Sequence, residues 1–264
     1  MLLKVAIIVL IIYIIVVTRS RIRLPNPALQ ATVDVLQAAT LKDEHVMQMA
    51  RKYIDYADAQ NALLPVDDPY AERLDRLTSR YVAVNGVPLN FRVYKTAQIN
   101  AFATDDGSIR IFSGLMDLMN DDELMAIIGH EIGHVVHADV KHAMKNAYLA
   151  SAARNAAGAA EGSRLAKLSG SQLGELVTAF TDAQFSQKQE YEADEYGFEF
   201  SVKHGFSPYA MGNSLNKLVE LSKGAKASTV QKMFSSHPDS EKRAARIRLA
   251  DFVRDMEFDR LGCF

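Results

Sequence analysis

Apolar residues recur three and four positions apart along much of the chain, the spacing that gathers them on one face of an α-helix. Helices are therefore predicted within five segments, at residues 28–61, 67–84, 119–140, 178–200 and 240–258. Two segments carry start signals, because Asp68 precedes Pro69 and Asn120 stands three residues before Glu123. Asp and Asn cap helix N-termini, and Pro fits the first helical position, where its missing N–H has no partner.

A short region between the second and third predicted helices has the pattern of β-strands. The segment NGVPLNFRVYK turns at Asn85 and Gly86 and enters a strand, and SIRIFSG is predicted to be its neighbour. Between them lies INAFATDDG, whose residues 100–104 are predicted to form an exposed edge of the sheet. Helices around one small sheet make the predicted fold class α+β and predominantly helical.

The beginning of the chain differs from the rest because it is almost entirely apolar. The uninterrupted run from Val5 to Val17 is extended by Leu2 and Leu3, and it approaches the about 20 residues that span a bilayer. An apolar surface on all sides favours lipid over burial in a protein core. No small residues suited to signal-peptide cleavage follow, so an uncleaved anchor is favoured over a cleaved signal peptide.

Two domains are predicted from this boundary: a membrane anchor at residues 1–24 and a single folded domain at residues 25–264. Arg19, Arg21 and Arg23 follow the apolar run, and one lysine precedes it. By the positive-inside rule this flank would place the folded domain in the cytoplasm.

Composition and charge narrow the classes of function. A formal net charge of −2 over 264 residues predicts no nucleic-acid partner. The single cysteine, Cys263, excludes an intramolecular disulfide and a cysteine-based metal cluster, so a metal would be held by His, Asp or Glu. The Ala-, Gly- and Ser-rich residues 150–174 are predicted to be a connection or lid.

The segment GHEIGHVVHADV contains the strongest candidate chemistry. His130 and His134 are four residues apart on a predicted helix, so their imidazoles lie on one face and can bind one ion. In the HExxH motif two neutral imidazoles hold Zn²⁺, and the glutamate, here Glu131, takes the proton from the water that attacks a carbonyl. The alternative is a solvated polar stripe on an ordinary helix.

A third protein ligand is needed for a catalytic zinc. His137 is disfavoured because the straight helix carries it along the axis, and the metzincin pattern HExxHxxGxxH is absent. The acidic segment QEYEADEYG is the better source, and Glu190 and Asp194 share a helix face at i, i+4 spacing. One could bind the metal while the other accepts a hydrogen bond from a histidine ligand, or the segment could be a solvated acidic face.

Three segments, INAFATDDGSIRIFSGLMDLMNDDELMAIIGHEIGH, FSQKQEYEAD and SSHPDSEKRAARI, together give a family resemblance. They closely resemble, in the same order, motifs of the membrane-associated zinc peptidases of the HtpX, Oma and CAAX-prenyl-protease group. The resemblance implies a zincin-like, minigluzincin catalytic domain that holds one Zn²⁺ per chain. It also implies that Glu190 is the third zinc ligand and that Asp194 is the carboxylate behind the ligands.

The same resemblance implies roles outside the HExxH helix. Residues 100–103 (Asn100, Ala101, Phe102 and Ala103) match an edge strand that pairs with an extended peptide substrate. His237 matches a histidine that stabilises the developing oxyanion or blocks the open metal position in a resting enzyme; preceding Pro238, it could instead only mark a helix entry. Relatives often carry a histidine nine residues after the first zinc ligand, where this chain has Asp139.

The expected function is that of a zinc endopeptidase that cleaves unfolded or misfolded membrane and envelope proteins. A zinc-containing, chaperone-like binding protein without proteolytic turnover is the alternative, and the presence of Glu131 favours the enzyme. The expected partners are extended polypeptides and, through residues 1–24, the bacterial inner membrane. The resemblance implies a periplasmic domain, against the cytoplasmic placement that the arginine flank predicts.

Overall fold

The computed structural model describes residues 42–156, 185–224 and 227–247, together with Thr32, Val35, Leu36 and Ala39. The chain divides into two compact units, and the unit formed by residues 43–143 and 182–264 contains every candidate site residue. The other unit comprises residues 1–42 and 144–181. The predicted anchor and its boundary lie outside the described residues. None of the helices that are described is long and apolar enough to cross a membrane.

The elements are, in chain order, α1 (Asp43–Gln60), α2 (Pro69–Thr78), β1 (Ala83–Val84), β2 (Val87–Pro88), β3 (Asn90–Tyr94), β4 (Ala101–Ala103), β5 (Ser108–Phe112), α3 (Ser113–Leu118), α4 (Asp121–His137), α5 (Asp139–Ala156), α6 (Gln187–Lys203), α7 (Ala210–Ser222), α8 (Ala227–Ser236) and α9 (240–247). The predicted fold class, a predominantly helical α+β domain with a small sheet, is confirmed.

The sheet is three-stranded, with β5 between β3 and β4. The segment SIRIFSG is the neighbour of β3, as predicted; β3 pairs with it in parallel, and β4 pairs with it antiparallel. Asn85 and Gly86, with φ of 48° and 79°, form the tight turn of a separate β1–β2 hairpin. Positive φ at both central residues is typical of a type I′ turn, for which Asn-Gly is the preferred pair.

Side chains alternate across this sheet and give it two buried faces. Tyr94 and Phe112 form an aromatic cluster with Ala57 of α1, with partly buried Phe102 packed against it. The opposite face belongs to the main core, which includes Val93, Ile109 and Ile111 of the strands and Leu124 and Ile128 of α4. The sheet therefore lies between α1 and the helix that carries the HExxH motif.

Both predicted start signals are confirmed. The Asp68 carboxylate accepts the N–H of Tyr70 at 2.9 Å, with Pro69 in the first turn. At the start of α4, Asn120 and Glu123 form a reciprocal capping box, in which each side chain accepts the other residue's backbone N–H. The Asn120 capping box fixes where α4, the helix that carries His130 and His134, begins.

Other predicted boundaries were wrong. Helix α2 ends at Thr78, before the β1–β2 hairpin. Residues 150–156, predicted to be a connection, are helical as part of α5, and the connection beyond them lies outside the described residues. Helix α6 begins at Gln187, because Ser186 and Gln189 form a capping box that the continuous helical pattern concealed. The last predicted helix is described only over 240–247.

Helices α4 and α6 approach each other closely because small residues line their contact. A Cβ atom added to Gly133 would lie 3.1 Å from the Cα of Ala193, and one added to Gly197 would lie 2.8 Å from the backbone nitrogen of His130. Gly129 similarly faces Gly197. Both helices thus carry small residues four positions apart, and backbone meets backbone at the level of the HExxH motif.

Candidate metal centre

Four buried side chains from three parts of the fold converge on one point. His130 and His134 come from α4, Glu190 from α6, and His237 from the segment between α8 and α9, and one ligand atom of each lies within 4.8 Å of the others. The two histidine Nε2 atoms of α4 are 3.0 Å apart. Glu190 Oε2 lies 3.7 Å from Nε2 of His130, and its Oε1 lies 3.6 Å from Nε2 of His134.

The protonation of the two α4 histidines follows from their outer neighbours. Nδ1 of His130 lies 2.9 Å from Asp194 Oδ1, and Nδ1 of His134 lies 2.7 Å from Asp139 Oδ2. Carboxylate oxygens only accept, so each imidazole donates its Nδ1–H outward and turns the Nε2 lone pair inward. Burial is the largest effect on the pKa of His130 and lowers it, so this ring stays neutral.

This arrangement fits a bound metal ion. Two Nε2 lone pairs that face each other at 3.0 Å repel unless a proton or a metal ion lies between them. A tetrahedral zinc with bonds of about 2.0–2.1 Å separates its ligand atoms by about 3.3–3.4 Å. The two Nε2 atoms are 3.0 Å apart, and each lies 3.6–3.7 Å from a different oxygen of Glu190, so the separations are close to that value on both sides of the carboxylate.

Arg243, which was not among the predicted site residues, pairs with two carboxylates of the site, Asp194 and Glu190. Arg243 of α9 is 3% exposed, and its Nε and Nη2 donate to the two oxygens of Asp194 at 2.8 and 2.6 Å. Its Nη1 forms an ion pair with Glu190. Burial alone would raise the pKa of Glu190, but the charges of His237 and Arg243 outweigh burial and lower it. Glu190 is therefore ionised, the form in which a carboxylate binds metal.

His237 and Glu131 face the ligand group from the remaining side. His237 Nδ1 lies 3.0 Å from Glu190 Oε1 and 3.3 Å from His130 Nε2. Its Nε2 lies 3.6 Å from Oε1 of Glu131, and both of these buried atoms lack a hydrogen-bond partner. Burial lowers the pKa of His237, but the carboxylates of Glu190 and Glu131 outweigh it and raise the pKa.

The predicted substrate strand has its expected place but not its expected exposure. Ala101 to Ala103 form β4 at the outer position of the described three-stranded sheet. The prediction that residues 100–104 are exposed was wrong, because Asn100, Ala101 and Thr104 are 2% exposed or less. Helix α4 packs against one face of β4, and Tyr53 contacts Phe102 on the other. The Asn100 Oδ1 atom is buried without a hydrogen-bond partner.

The structure distinguishes between the acidic residues of QEYEADEYG that the sequence offered as possible metal ligands. Glu190 and Asp194 are buried, whereas Glu195 is exposed and Glu192 pairs on the surface with Lys188 at 3.3 Å. His137 is outside the group of four possible ligands.

Sequence reasoning missed Arg243, the contact of Asp139 with His134, and Phe185, whose ring stacks on His134 at 4.0 Å. Arg243 and Phe185 lie within helical patterns that predicted only a basic surface and a helix interior. Arg243 is a charged residue on the apolar side of the helical pattern at residues 240–258, and this position could have indicated a buried arginine.

A buried pair of histidines four residues apart, a glutamate from a second helix and an acidic residue beside them define a metal-dependent hydrolase site. The chain belongs to peptidase family M48, whose profile matches residues 70–250. Metalloprotease LoiP of Escherichia coli is 39% identical over 84% of this chain and 87% of that protein. Metalloprotease YcaL of Escherichia coli is 36% identical over 84% and 86%. A protease HtpX homolog of Ralstonia pickettii is 27% identical over 69% and 75%.

These comparisons confirm the family resemblance and the enzyme class. The protein is a metallopeptidase, and the site is its candidate catalytic centre.

Proposed function

We propose that the protein is a zinc-dependent endopeptidase that cleaves extended, unfolded polypeptides. The observation that carries this proposal is the position of Glu131. Its Oε1 is buried, has no hydrogen-bond partner, and lies 3.6 Å from Nε2 of His237, a member of the group of four possible ligands. Such a ligand set suits zinc, and one ion per chain fits it. A buried carboxylate that makes no hydrogen bond through this oxygen is available to exchange protons with a reacting group.

Bound zinc would supply Lewis-acid activation of a water molecule and of the substrate carbonyl. His130, His134 and Glu190 would hold the ion, with Asp194 orienting His130. Glu131 then takes the proton of the attacking water and delivers it to the nitrogen of the leaving amine.

His237 has two roles open to it. From its Nε2 side it donates a hydrogen bond to the oxyanion that develops on the substrate. From its Nδ1 side, 3.3 Å from His130 Nε2, it would instead be a fourth protein ligand of the metal and would exclude substrate.

The substrate is proposed to lie as an extended chain against β4. The outer position of β4 in the sheet, next to the helix that carries the HExxH motif, supports a peptide paired along the free edge of this strand. Main-chain hydrogen bonds along residues 100–103 would hold it with little dependence on sequence, which suits unfolded segments of membrane or envelope proteins. Asn100 accepts the N–H of Phe112 in β5, so the alternate residues Ala101 and Ala103 turn their main-chain groups to the free edge, while Asn100 and Phe102 hold the strand in the sheet.

The alternative function, a zinc-containing chaperone-like protein without turnover, is favoured by one observation. His237 lies among the ligand atoms, where a fourth protein ligand would leave no position for substrate. The two functions differ in whether peptide bonds are cut.

The test is degradation of casein by the purified full chain, with and without a zinc chelator, alongside measurement of metal content. Cleavage that the chelator stops and added zinc restores is the expected result. A folded wild-type protein that takes up no zinc would contradict both functions. Zinc bound at one ion per chain without cleavage, in wild type and in the variant described next, would favour the binding protein.

Replacement of His237 by alanine distinguishes its two roles. If the ring fills the fourth position, His237→Ala is expected to raise casein cleavage several-fold while zinc stays bound, because Glu190 and the α4 histidines remain. If the ring stabilises the oxyanion, cleavage is expected to fall by about 100-fold or more with the same zinc content. His204→Ala is the control, since that ring lies at the end of α6 against Tyr81 and Phe200. Unchanged cleavage would remove His237 from both roles.

Residues 1–24 are proposed to anchor the enzyme in the bacterial inner membrane. Their apolar run and flanking charges support the proposal. The full chain is expected in the membrane fraction after alkaline carbonate washing, and a chain that begins at residue 25 in the soluble fraction. Protease treatment of spheroplasts then reports the side, since only a periplasmic domain is digested. Release of the full chain by carbonate would contradict the anchor.

A further inference from the structure

Asp139, the first residue of α5, makes contacts that its position in the sequence does not explain. It is 1% exposed and follows Ala138, which has a left-handed backbone with φ of 53°. This turn ends α4 and directs the Asp139 carboxylate back towards the helix it has just left. Its Oδ2 accepts the Nδ1–H of His134 at 2.7 Å.

The other side of this carboxylate is held by α6. Gln189 donates from Nε2 to Asp139 Oδ1 at 2.9 Å and to the Asp139 backbone oxygen at 3.1 Å. The Gln189 Oε1 atom accepts the backbone N–H of Ser186 at 2.9 Å as part of the α6 capping box. Because Glu190 is the next residue, the same first turn of α6 supports a candidate metal ligand and the carboxylate behind another ligand.

A third element fixes the backbone beside Asp139. Asp105, in the turn between β4 and β5, accepts the backbone N–H of Lys141 at 2.9 Å. Since the first N–H groups of a helix have no partner within it, this contact caps α5 from outside. Asp105 thus holds the backbone of α5 beside Asp139, Gln189 holds its carboxylate, and the turn at Ala138 directs it towards His134. The carboxylate therefore has little freedom to leave His134.

We propose that Asp139 is a positioning residue for the metal centre, which sets the tautomer and ring orientation of His134 and thereby the affinity of the site for zinc. The assignment rests on the proposed zinc site. In this structure the Asp139 carboxylate accepts from the second α4 histidine, as Asp194 does from the first. The two α4 ligands are then oriented by separate carboxylates from different helices, and only the one on His130 is neutralised by Arg243.

The charge of Asp139 adds to this effect. A carboxylate hydrogen-bonded to the outer nitrogen of an imidazole increases the basicity of the inner nitrogen and strengthens its bond to a metal. Loss of such a partner weakens metal binding about 10- to 100-fold. An amide in the same place keeps the shape and, with its oxygen towards His134, keeps that acceptor. It removes the charge and loses the hydrogen bond that Oδ1 accepts from Gln189, so its effect should be smaller than that of alanine and in the same direction.

The experiment measures the zinc dissociation constant of the full chain by competition with a chromogenic chelator. Asp139→Ala is expected to weaken zinc binding about 10- to 100-fold, and Asp139→Asn is expected to weaken it measurably but by less than about tenfold. Asp67→Asn, which makes the same change of charge on an exposed residue, is expected to bind zinc as wild type does. Substitution of cobalt for zinc gives a second signal, because a rotated His134 ring changes the visible absorption of the bound ion.

A purely structural role of Asp139 predicts something different: a lower thermal midpoint of the metal-free protein with an unchanged dissociation constant and cobalt spectrum. That result, in both variants, would overturn the proposal. If Asp139→Ala does not fold, Asp139→Asn decides alone, because it keeps the hydrogen bond to His134. The wild-type protein distinguishes the two possible failures. If it neither binds zinc nor cleaves casein, the proposed zinc site is wrong. If it does both, only the role of Asp139 is wrong.

Discussion

Glu131→Gln is expected to abolish peptide cleavage while leaving zinc bound. The side chain is 1% exposed and glutamine has nearly the same shape, so the replacement should be accommodated without repacking. Its amide cannot accept a proton from the attacking water, and loss of a general base costs about 100- to 10,000-fold in rate. The measurement is the initial rate of casein cleavage, together with zinc content per chain.

The control for this variant is Glu195→Gln, the same chemical change on an exposed residue of α6. It should cleave casein at the wild-type rate. If Glu131→Gln cleaved casein as wild type does, another residue would have to move the proton, and His237 would be the candidate since its Nε2 lies 3.6 Å away. If the variant lost zinc as well as activity, Glu131 would contribute to the metal site and its role as base would be unproven.

Glu190→Ala is expected to lose both zinc and activity. The side chain is fully buried, and no other acidic residue of α6 can replace it: Asp194 is held by His130 and Arg243, and Glu192 pairs with Lys188 on the surface. Arg243 would keep only Asp194 as a partner, and removal of one member of a buried ion pair costs about 3–5 kcal/mol of stability. The variant should therefore unfold at a lower temperature than wild type even without metal.

Two further variants make this prediction specific. Glu192→Ala should retain zinc, activity and thermal stability. Glu190→Gln keeps the volume and removes the charge, and it should bind zinc far more weakly than wild type while losing less stability than alanine. Zinc binding by Glu190→Ala at wild-type affinity would mean that His237 serves as the third ligand. Its Nδ1 is close enough for this, at 3.3 Å from Nε2 of His130.

The sequence was most informative where one helix carries the whole pattern. The i, i+4 spacing of His130 and His134, and of Glu190 and Asp194, is local geometry, and the capping box at Asn120 fixed the start of α4. These features could be predicted because a helix leaves little choice of which residues share a face.

Contacts between distant segments could not be predicted in the same way. The burial of β4 depends on packing by α1 and α4, and a strand pattern alone does not report what covers it. Arg243 reaches Asp194 over a separation of 49 residues, and its segment has an ordinary amphipathic pattern. The edge position of this strand was therefore predicted correctly but the exposure of its residues was not, and the arginine was missed.

The close contact between α4 and α6 also determines which parts of the centre can move. Gly129, Gly133 and Gly197 bring the helix backbones together without intervening side chains, so a change in their separation would open voids along the whole contact. The spacing of His130, His134 and Glu190 is therefore set by this helix contact. His237 lies outside it, after α8, and the backbone N–H of Ile99 donates to the Thr229 carbonyl of α8, so that α8 is tied to the segment that enters β4.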